Sequence, residues 1–236
     1  MPDLTVPLGR VDIWSLRTDD PDLPLSRLES LLAQDELDRA NRFCFDHLRR
    51  NYILARGFLR LLCADYMQTD PASLFLRYGA NGKPELGSEC KLRFNLSHSG
   101  ALTIFAFAYE LELGVDVERI RDIKDIEAVA RRFFCPEEAS EVLGTAEAER
   151  ARIFHTCWTR KEAYIKATGD GLSTALNSFR VTVRNDEPAR LAHIDFSEDE
   201  GSRWTMRNLA LPLPYVGALC HRGPALPLCF ASLNSL

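Results

Sequence analysis

The stretch "ALTIFAFAYELELGVDVERI", residues 101–120, constrains the fold most strongly. Its two apolar runs, rich in β-branched and aromatic residues and separated by a short polar connection, predict a pair of neighbouring strands. Helical patterns precede and follow this pair. Helices followed by strands therefore occur twice along the 236-residue chain. This order predicts an α+β fold of two similar halves, 1–113 and 114–236, related by a pseudo-two-fold axis.

The remaining elements follow from the spacing of apolar residues. Apolar residues three to four apart predict helices, and alternation of apolar and polar residues predicts strands. The predicted helices are 24–48, 48–66, 124–132, 136–143 and 149–168. The predicted strands are "GRVDIWSL", "LRFNLSHSG", "FRVTV", "ARLAHIDF", "RWTMRNLA" and "YVGALC", with a hairpin over "LFLRYGANGKPEL" that turns at Asn81-Gly82.

Composition excludes several classes of protein. The formal net charge of −5 argues against a general nucleic-acid binder. The longest apolar run, 101–109, is too short to span a bilayer, and "MPDLTVPLGR" lacks the pattern of a signal peptide. Seven cysteines without a CxxC motif predict reduced thiols in a cytoplasmic protein. A zinc site is not expected, because Cys44 and His47 form an isolated pair.

The motif "GVDVE", residues 114–118, has two possible interpretations. On a strand, Asp116 and Glu118 point to one face, and Val115 and Val117 point to the other, towards the core. The carboxylates are then either a solvated polar face or a site for a hard divalent cation such as Mg²⁺. A third carboxylate, from Glu162, would complete such a site.

Three cationic or polar motifs leave similar alternatives open. Ser97 and His98 in "NLSHSG" follow a strand, in a predicted turn, and either stabilise that turn or hold a phosphate. Lys83 in "NGKP" is either a solvated hairpin residue or a phosphate ligand. The arginines between residues 39 and 60 suit phosphate oxygens or the solvated faces of two helices. They are Arg39, Arg42, Arg49, Arg50, Arg56 and Arg60.

The stretch "WTRKEAYIKATGDGL", residues 158–172, puts Glu162 and Lys166 on one helical face. They form either a surface salt bridge or an acid and a base directed at one substrate. The Gly169-Asp170-Gly171 step is expected to end the helix, because glycine readily adopts the left-handed conformation.

Together these motifs resemble the 4′-phosphopantetheinyl transferases of the long, surfactin-synthetase-activating (Sfp-type) class. The resemblance rests on "GVDVERI" and "WTRKEAYIKATGDGL", with "NGKP", "FNLSHSG" and "RRFFCPEE" in the same order. It runs from about Arg39 to Phe179. It implies two α+β halves with the active site in the cleft between them, the nucleotide and phosphate contacts coming from 1–113 and the metal site and catalytic helix from 114–236.

The resemblance also implies residue roles. Asp116, Glu118 and Glu162 would hold Mg²⁺, or Mn²⁺ in its place. The residues expected to contact coenzyme A are Arg39, Lys83, Ser97, His98, Lys161 and Lys166, with Lys166 near the phosphates. Arg39 would bind the 3′-phosphate, with Arg49, Arg50 and Arg56 as rivals. Glu162, Lys166 and His98 would be catalytic, Glu162 as the base, with a hydroxide supplied by the metal as the alternative.

The implied reaction moves phosphopantetheine from coenzyme A to a serine of an apo acyl or peptidyl carrier protein in fatty-acid, polyketide or nonribosomal-peptide synthesis. The carriers are acidic helical bundles, expected to dock on residues 119–134. We expect a monomeric cytoplasmic enzyme without nucleic-acid or membrane partners. A Mg²⁺-dependent nucleotide phosphohydrolase and a binding module without turnover are the alternative functions.

Overall fold

The computed structural model describes residues 7–79, 82–87, 89–169, 171, 174–184, 186–194 and 200–235. It has the predicted mixed α+β architecture, with two main sheets and helices against each. Asn81 and Asp170 in the predicted turns, and the last two residues of "ARLAHIDF", lie outside the described residues. Within those residues, no helix is both long enough and apolar enough to cross a membrane.

The first sheet has four strands. They are β1 (Val11–Arg17), β4 (Leu92–Ser99), β5 (Leu102–Tyr109) and β11 (Leu228–Ser232), in the order β11-β1-β5-β4. The strand β11, which the sequence did not predict, pairs in parallel with β1. The C-terminal half proposed as 114–236 therefore contributes its last strand to the sheet of the N-terminal half.

Three helices accompany this sheet: α1 (Leu25–Glu29), α2 (Gln34–Ala40) and α3 (Asp46–Met67). Apolar side chains of α3, including Leu54, Phe58 and Leu62, pack with residues of β1, β4 and β5 in one buried cluster. The single helix predicted for 24–48 is wrong. The backbone is extended at Ala33, where Glu36 accepts the Ala33 N–H, and again at Phe45.

The "LFLRYGANGKPEL" segment forms a minimal hairpin of β2 (Arg77–Tyr78) and β3 (Pro84–Glu85). Gly82 has a φ of +74°, which suits glycine. The prediction that Ser97 and His98 lie in a turn is wrong, because β4 continues through Ser99 and pairs with β5 over its whole length.

The second sheet contains three strands. They are β6 (Leu113–Arg119), β10 (Tyr215–Arg222) and β9 (Trp204–Asn208), in the order β6-β10-β9. A separate pair is formed by β7 (Phe179–Val181) and β8 (Leu191–Ile194). Beside these lie the helices α4 (Ile126–Phe133), α5 (Pro136–Gly144) and α6 (Glu147–Thr168).

Helix α6 lies directly against β6 and β10. The close approach requires glycine at position 114, because a Cβ there would lie 2.2 Å from the carbonyl oxygen of Ala163. The helix ends at Gly169, whose φ of +78° is the predicted left-handed cap.

The two sheets meet through a shared apolar cluster and through two adjacent strand edges. Val115 and Val117 of β6 are buried in a cluster with residues of β1 and β5, as their alternation with Asp116 and Glu118 predicts. The strand β4, at the edge of the first sheet, lies beside β6, at the edge of the second. Asp116 and Glu118 are thereby placed at the junction of the two halves.

Candidate active site

A cavity of about 1710 Å³ opens at this junction. Its walls come from both halves: α2 and α3, the β2–β3 hairpin and β4 on one side, and β6, α4 and α6 on the other. Among the residues lining it are Arg39, Lys83, His98, Glu118, Glu162 and Lys166. The structure therefore gathers six of the predicted site residues around one space.

Lys166 lines the cavity and forms an ion pair with Asp116, a buried residue that is not itself among the lining residues. Lys166 Nζ donates to Asp116 Oδ1 at 2.6 Å and to Ser97 Oγ at 3.0 Å. Lys166 comes from α6 and Asp116 from β6, so the pair also joins the helix to the sheet beneath it. The ammonium partner of Asp116 is thus Lys166, and the alternative interpretation of Glu162 and Lys166 as a surface salt bridge does not match the ion pair that the described residues form.

Asp116 still has unused hydrogen-bonding capacity. The residue is buried, and its Oδ2 has no hydrogen-bond partner in the described part of the chain. A buried carboxylate oxygen without a partner costs free energy, and such an atom commonly marks a place where a ligand or ion binds. Asp116 Oδ2 is therefore a candidate ligand for a metal ion.

Glu162 lies half-buried in the cavity wall, one helical turn before Lys166. Burial raises the pKa of its carboxyl, and the nearby negative charges of Asp116 and Glu118 raise it further, against the opposing effect of Lys166. Three carboxylates are thus close enough to influence one another. They are not tightly grouped, because no set of three or more His, Cys, Asp or Glu residues among those described is arranged to hold a metal ion.

His98 lies at the open side of the cavity. Its imidazole is solvent-accessible yet surrounded by the cavity walls, and this burial lowers its pKa, with a further lowering from the positive charge of Lys166. Glu118 and Asp116 oppose the shift. We conclude that His98 is neutral at pH 7, when one ring nitrogen can donate and the other can accept a hydrogen bond.

Arginines of α2 and α3 make part of the cavity wall cationic. They are Arg39, Arg50 and Arg56. The guanidinium groups of Arg39 and Arg56 each lie 5.6 Å from the centre of the Tyr52 ring. Arg56 is buried and is held near Glu36, at 3.5 Å. Its Nη1 and the Tyr52 hydroxyl lack hydrogen-bond partners within the described ranges.

Two of the rival arginines have other partners. Arg49 forms an ion pair with Glu29 and does not line the cavity. Arg50 donates to the carbonyl oxygen of Asp20 at 2.7 Å. Of the four arginines considered from the sequence, Arg39 and Arg56 are therefore the two that line the cavity beside the Tyr52 ring, and Arg56 has an unused donor among the described residues.

Lys83, Ser97 and Lys161 each have partners within the protein, with different consequences for their predicted ligand contacts. Lys83 Nζ donates to the carbonyl oxygen of Lys166 at 2.8 Å, so it ties the hairpin to the end of α6 while lining the cavity. Ser97 is buried, and its hydroxyl is fully used by Asp116, Lys166 and the Val117 N–H.

Lys161 is wholly buried and does not reach the cavity. Its Nζ forms an ion pair with Glu138 at 2.8 Å and donates to the carbonyl oxygens of Leu176 and Phe179. Lys161 lies on α6 as expected, but its side chain is buried in the core and not directed at the cavity. Lys161 therefore anchors the segment that follows α6 to the N-terminus of α5.

Sequence reasoning missed two contributors to the site. Ser99 donates to Glu118 Oε2 at 2.7 Å, and Tyr52 lies between two arginines in the cationic part of the cavity wall. Ser99 had a usable signal, because it follows Ser97 by two positions and so shares its side of the strand. Tyr52 had none, since a tyrosine on an amphipathic helix is more often a core residue.

Comparisons with known proteins agree with this architecture. Residues 22–110 match the family described as "4'-phosphopantetheinyl transferase, N-terminal", and residues 112–220 match the "4'-phosphopantetheinyl transferase superfamily". The 4'-phosphopantetheinyl transferase HetI of Nostoc sp. is 39% identical over 80% of this chain and 81% of the relative. The corresponding values are 31%, 85% and 83% for psf-1 of Bacillus pumilus, and 31%, 70% and 75% for Sfp of Bacillus subtilis.

Among solved structures, the holo-[acyl-carrier-protein] synthase of Thermotoga maritima aligns with a TM-score of 0.38 and 18% identity, over 49% of this chain and 65% of that one. That likeness is too distant to bear on the site. The family matches and the relatives define the class of the protein as an enzyme that transfers a phosphopantetheine group. The chain belongs to the 4′-phosphopantetheinyl transferase family, in its long Sfp-like type.

Proposed function

We propose that this enzyme transfers the 4′-phosphopantetheine group from coenzyme A to a serine of an apo-carrier protein in a Mg²⁺-dependent reaction that releases adenosine 3′,5′-bisphosphate. One observation carries the proposal. A single cavity between the two halves is lined by Glu118, Glu162 and Lys166 from β6 and α6, and by Arg39 and Arg56 from α2 and α3. A long ligand with phosphates at two separate places, such as coenzyme A, suits that distribution of charge.

The side chains fit a magnesium ion in chemistry. Asp116 Oδ2 is a buried oxygen without a partner in the described part of the chain, and Glu162 and Glu118 supply further carboxylate oxygens, the ligand type that Mg²⁺ prefers. Asp116, Glu118 and Glu162 would hold the ion, with Mn²⁺ as a substitute. When bound, Mg²⁺ would neutralise negative charge on the diphosphate and on the three carboxylates.

Glu162 is the proposed general base. The acceptor serine is a weak nucleophile and needs a proton acceptor within hydrogen-bond reach. Burial and neighbouring carboxylates raise the Glu162 pKa, which makes its carboxylate a stronger base than an exposed glutamate. The serine proton passes to Glu162 while the serine oxygen bonds to the β-phosphorus. The bond from that phosphorus to the bridging oxygen breaks, and adenosine 3′,5′-bisphosphate leaves.

Lys166 and His98 are proposed to stabilise charge on the diphosphate during this step. The ammonium group of Lys166 is held in place by Asp116 and Ser97, so it needs little reorganisation to act. His98 is neutral because its pKa is lowered, and it is therefore suited to donate a hydrogen bond to a phosphate oxygen rather than to add a full charge.

The 3′-phosphate is proposed to bind between Arg39 and Arg56. Arg56 Nη1 and the Tyr52 hydroxyl offer donors without partners in the described structure, and Arg39 adds a second positive charge beside the same ring. This revises the expectation from the sequence, in which Arg39 was preferred and Arg56 was one of three rivals.

The carrier protein is proposed to dock on residues 119–134. From this segment, Arg119, Arg121, Arg132 and Phe133 line the cavity. An acidic carrier would be steered there by complementary charge, and its serine would then lie beside the carboxylates. The expected cytoplasmic location and monomeric state remain part of the proposal; the seven cysteines are free of disulfides, and residues of both halves of one chain line the cavity.

Mass spectrometry of the products tests the proposal. The protein is incubated with coenzyme A, Mg²⁺ and an apo-carrier, with parallel samples lacking Mg²⁺ or carrying an acceptor Ser→Ala substitution. A phosphopantetheine adduct on the carrier that needs both Mg²⁺ and the serine supports the transferase. Release of adenosine bisphosphate without an adduct would identify a phosphohydrolase. Unchanged reactants would indicate a binding module without turnover.

A further inference from the structure

Three polar side chains on β4 join the two sheets. Asn95, Ser97 and Ser99 alternate along the strand and therefore lie on one side of it. Each accepts a backbone N–H of β6 from the residue twenty positions later. The three bonds are Val115 N–H to Asn95 Oδ1 at 2.8 Å, Val117 N–H to Ser97 Oγ at 3.3 Å and Arg119 N–H to Ser99 Oγ at 3.0 Å.

These bonds have a clear structural reason. In an antiparallel ladder, alternate residues of a strand direct their N–H groups to opposite sides. β6 pairs with β10 on one side only. Its N–H groups on the other side face β4 and would be unsatisfied without the three side chains. The row of contacts is a junction between sheets, made by side chains instead of a backbone ladder.

Two of the three side chains have a second role. The Ser97 hydroxyl donates to Asp116 Oδ1 and the Ser99 hydroxyl donates to Glu118 Oε2, each at 2.7 Å. A hydroxyl has one proton, and its oxygen is already engaged as an acceptor by β6. The proton is thereby directed at the carboxylate. Asn95 shares the junction but has no carboxylate partner among its described contacts.

We propose that Ser97 and Ser99 are positioning residues that fix the orientation of Asp116 and Glu118 for a divalent cation. This inference rests on the proposed function, since it assigns the cation to these carboxylates. By occupying Asp116 Oδ1 and Glu118 Oε2, the serines leave the second oxygen of each carboxylate for the ion. Carboxylate ligands held by such outer partners lose metal affinity when the partner is removed.

Ser99 provides the cleaner test, because Ser97 also contacts Lys166. Mn²⁺ is titrated into the protein without coenzyme A, and free Mn²⁺ is measured by electron paramagnetic resonance. Ser99→Ala is expected to weaken Mn²⁺ binding about 10-fold or more. Ser99→Thr, which retains the hydroxyl, is expected to bind Mn²⁺ nearly as the wild type does.

Asn95→Ala is the matched control. It removes an equivalent contact to β6, so it is expected to lower the melting temperature as Ser99→Ala does, but to leave Mn²⁺ affinity unchanged. In a Glu118→Gln background, Ser99→Ala is expected to have no further effect on Mn²⁺ affinity, since the carboxylate that it orients is absent.

The outcomes separate the possible errors. Wild-type affinity in Ser99→Ala, or an equal loss in Asn95→Ala, would overturn the positioning role while the proposed metal site stands. If the wild-type protein does not bind Mn²⁺ at all, the metal assignment of the proposed function fails, and the positioning role fails with it. A loss confined to Ser99→Ala and rescued by threonine supports the inference.

Discussion

At the scale of single residues, Glu162 has conflicting effects on function and on stability. Its proposed role requires an ionised carboxylate in a half-buried wall beside two other acids. Glu162→Gln keeps the shape and removes the charge. We expect turnover to fall about 10²-fold or more, the usual contribution of a general base. Steady-state kinetics at saturating Mg²⁺ provide the measurement, and turnover near that of the wild type would refute the assignment.

The same substitution is expected to stabilise the metal-free protein. The folded-state pKa of Glu162 is raised, so ionisation at neutral pH costs free energy of folding. That cost is absent below the unfolded pKa, where both states are protonated, and develops as pH rises through the folded pKa. Thermal melts in EDTA should give Glu162→Gln a higher melting temperature than the wild type at pH 7. The difference in melting temperature should vanish towards pH 4. A constant difference would contradict this account.

Arg56 and Arg39 give a prediction about ligand selectivity. Substituting either with Ala should weaken the binding of coenzyme A much more than the binding of dephospho-coenzyme A, because only coenzyme A has the 3′-phosphate. A charge-assisted contact is worth roughly 1.5–3 kcal/mol. Arg49→Ala is the control, since Arg49 pairs with Glu29 away from the cavity. Calorimetry measures the affinity for both ligands. An equal loss of affinity for the two would show that the 3′-phosphate binds elsewhere.

At the scale of elements, the packing of α6 on β6 determines where Glu162 and Lys166 lie relative to Asp116. Gly114 permits this approach, since a Cβ there would lie 2.2 Å from the Ala163 carbonyl oxygen and 2.3 Å from the Ala167 nitrogen. Gly114→Ala should therefore lower the free energy of unfolding by about 1–3 kcal/mol or more.

Gly144→Ala is the matched control for this prediction, because no atom of the residues that the structure describes lies within 4 Å of a Cβ at that position. Its effect should be below about 1 kcal/mol. Urea denaturation of both variants provides the comparison. If Gly144→Ala and Gly114→Ala were equally stable, the separation of α6 from β6 would not depend on the glycine.

The elements show where sequence reasoning succeeds. The alternation in "GVDVE" correctly placed Asp116 and Glu118 opposite Val115 and Val117, because the period of a strand is local. The end of α6 at Gly169 was likewise a local signal. Both predictions needed only the residues themselves.

The missed features depend on distant partners. Lys161 and Lys166 look alike in the sequence, but Lys161 meets Glu138 in the core while Lys166, which lines the cavity, meets Asp116. The Ser97 hydroxyl is occupied by partners from two other elements, Asp116 and the Val117 N–H of β6 and Lys166 of α6, which leaves it no capacity for the predicted ligand contact. Spacing within one element does not reveal which neighbour a side chain will face.

At the scale of the whole molecule, charge is unevenly distributed. The protein is acidic, yet the segment 119–134 has five basic residues against three acidic ones. Lys124→Glu with Arg131→Glu should raise the KM for an acidic carrier, most strongly at low salt, and leave coenzyme A affinity unchanged. Kinetics at two ionic strengths provide the measurement.

The matched control reverses two exposed charges that do not line the cavity, Arg27→Glu with Lys91→Glu. It changes the net charge of the protein equally, so it separates local docking from a general electrostatic effect. The docking face would lie elsewhere if the Lys124→Glu, Arg131→Glu variant had the wild-type KM for the carrier at low salt. The same would follow if the control variant showed an equal rise in KM.

The pairing of β11 with β1 has a consequence for how the chain folds. Val11 lies opposite Leu228, so the first strand acquires this neighbour only after the chain has been made as far as β11. Until then the sheet of the N-terminal half has an open edge at β1. Contacts at such large sequence separation close long loops, and they slow folding. During synthesis on the ribosome, the edge at β1 therefore stays exposed to nearby chains until β11 emerges.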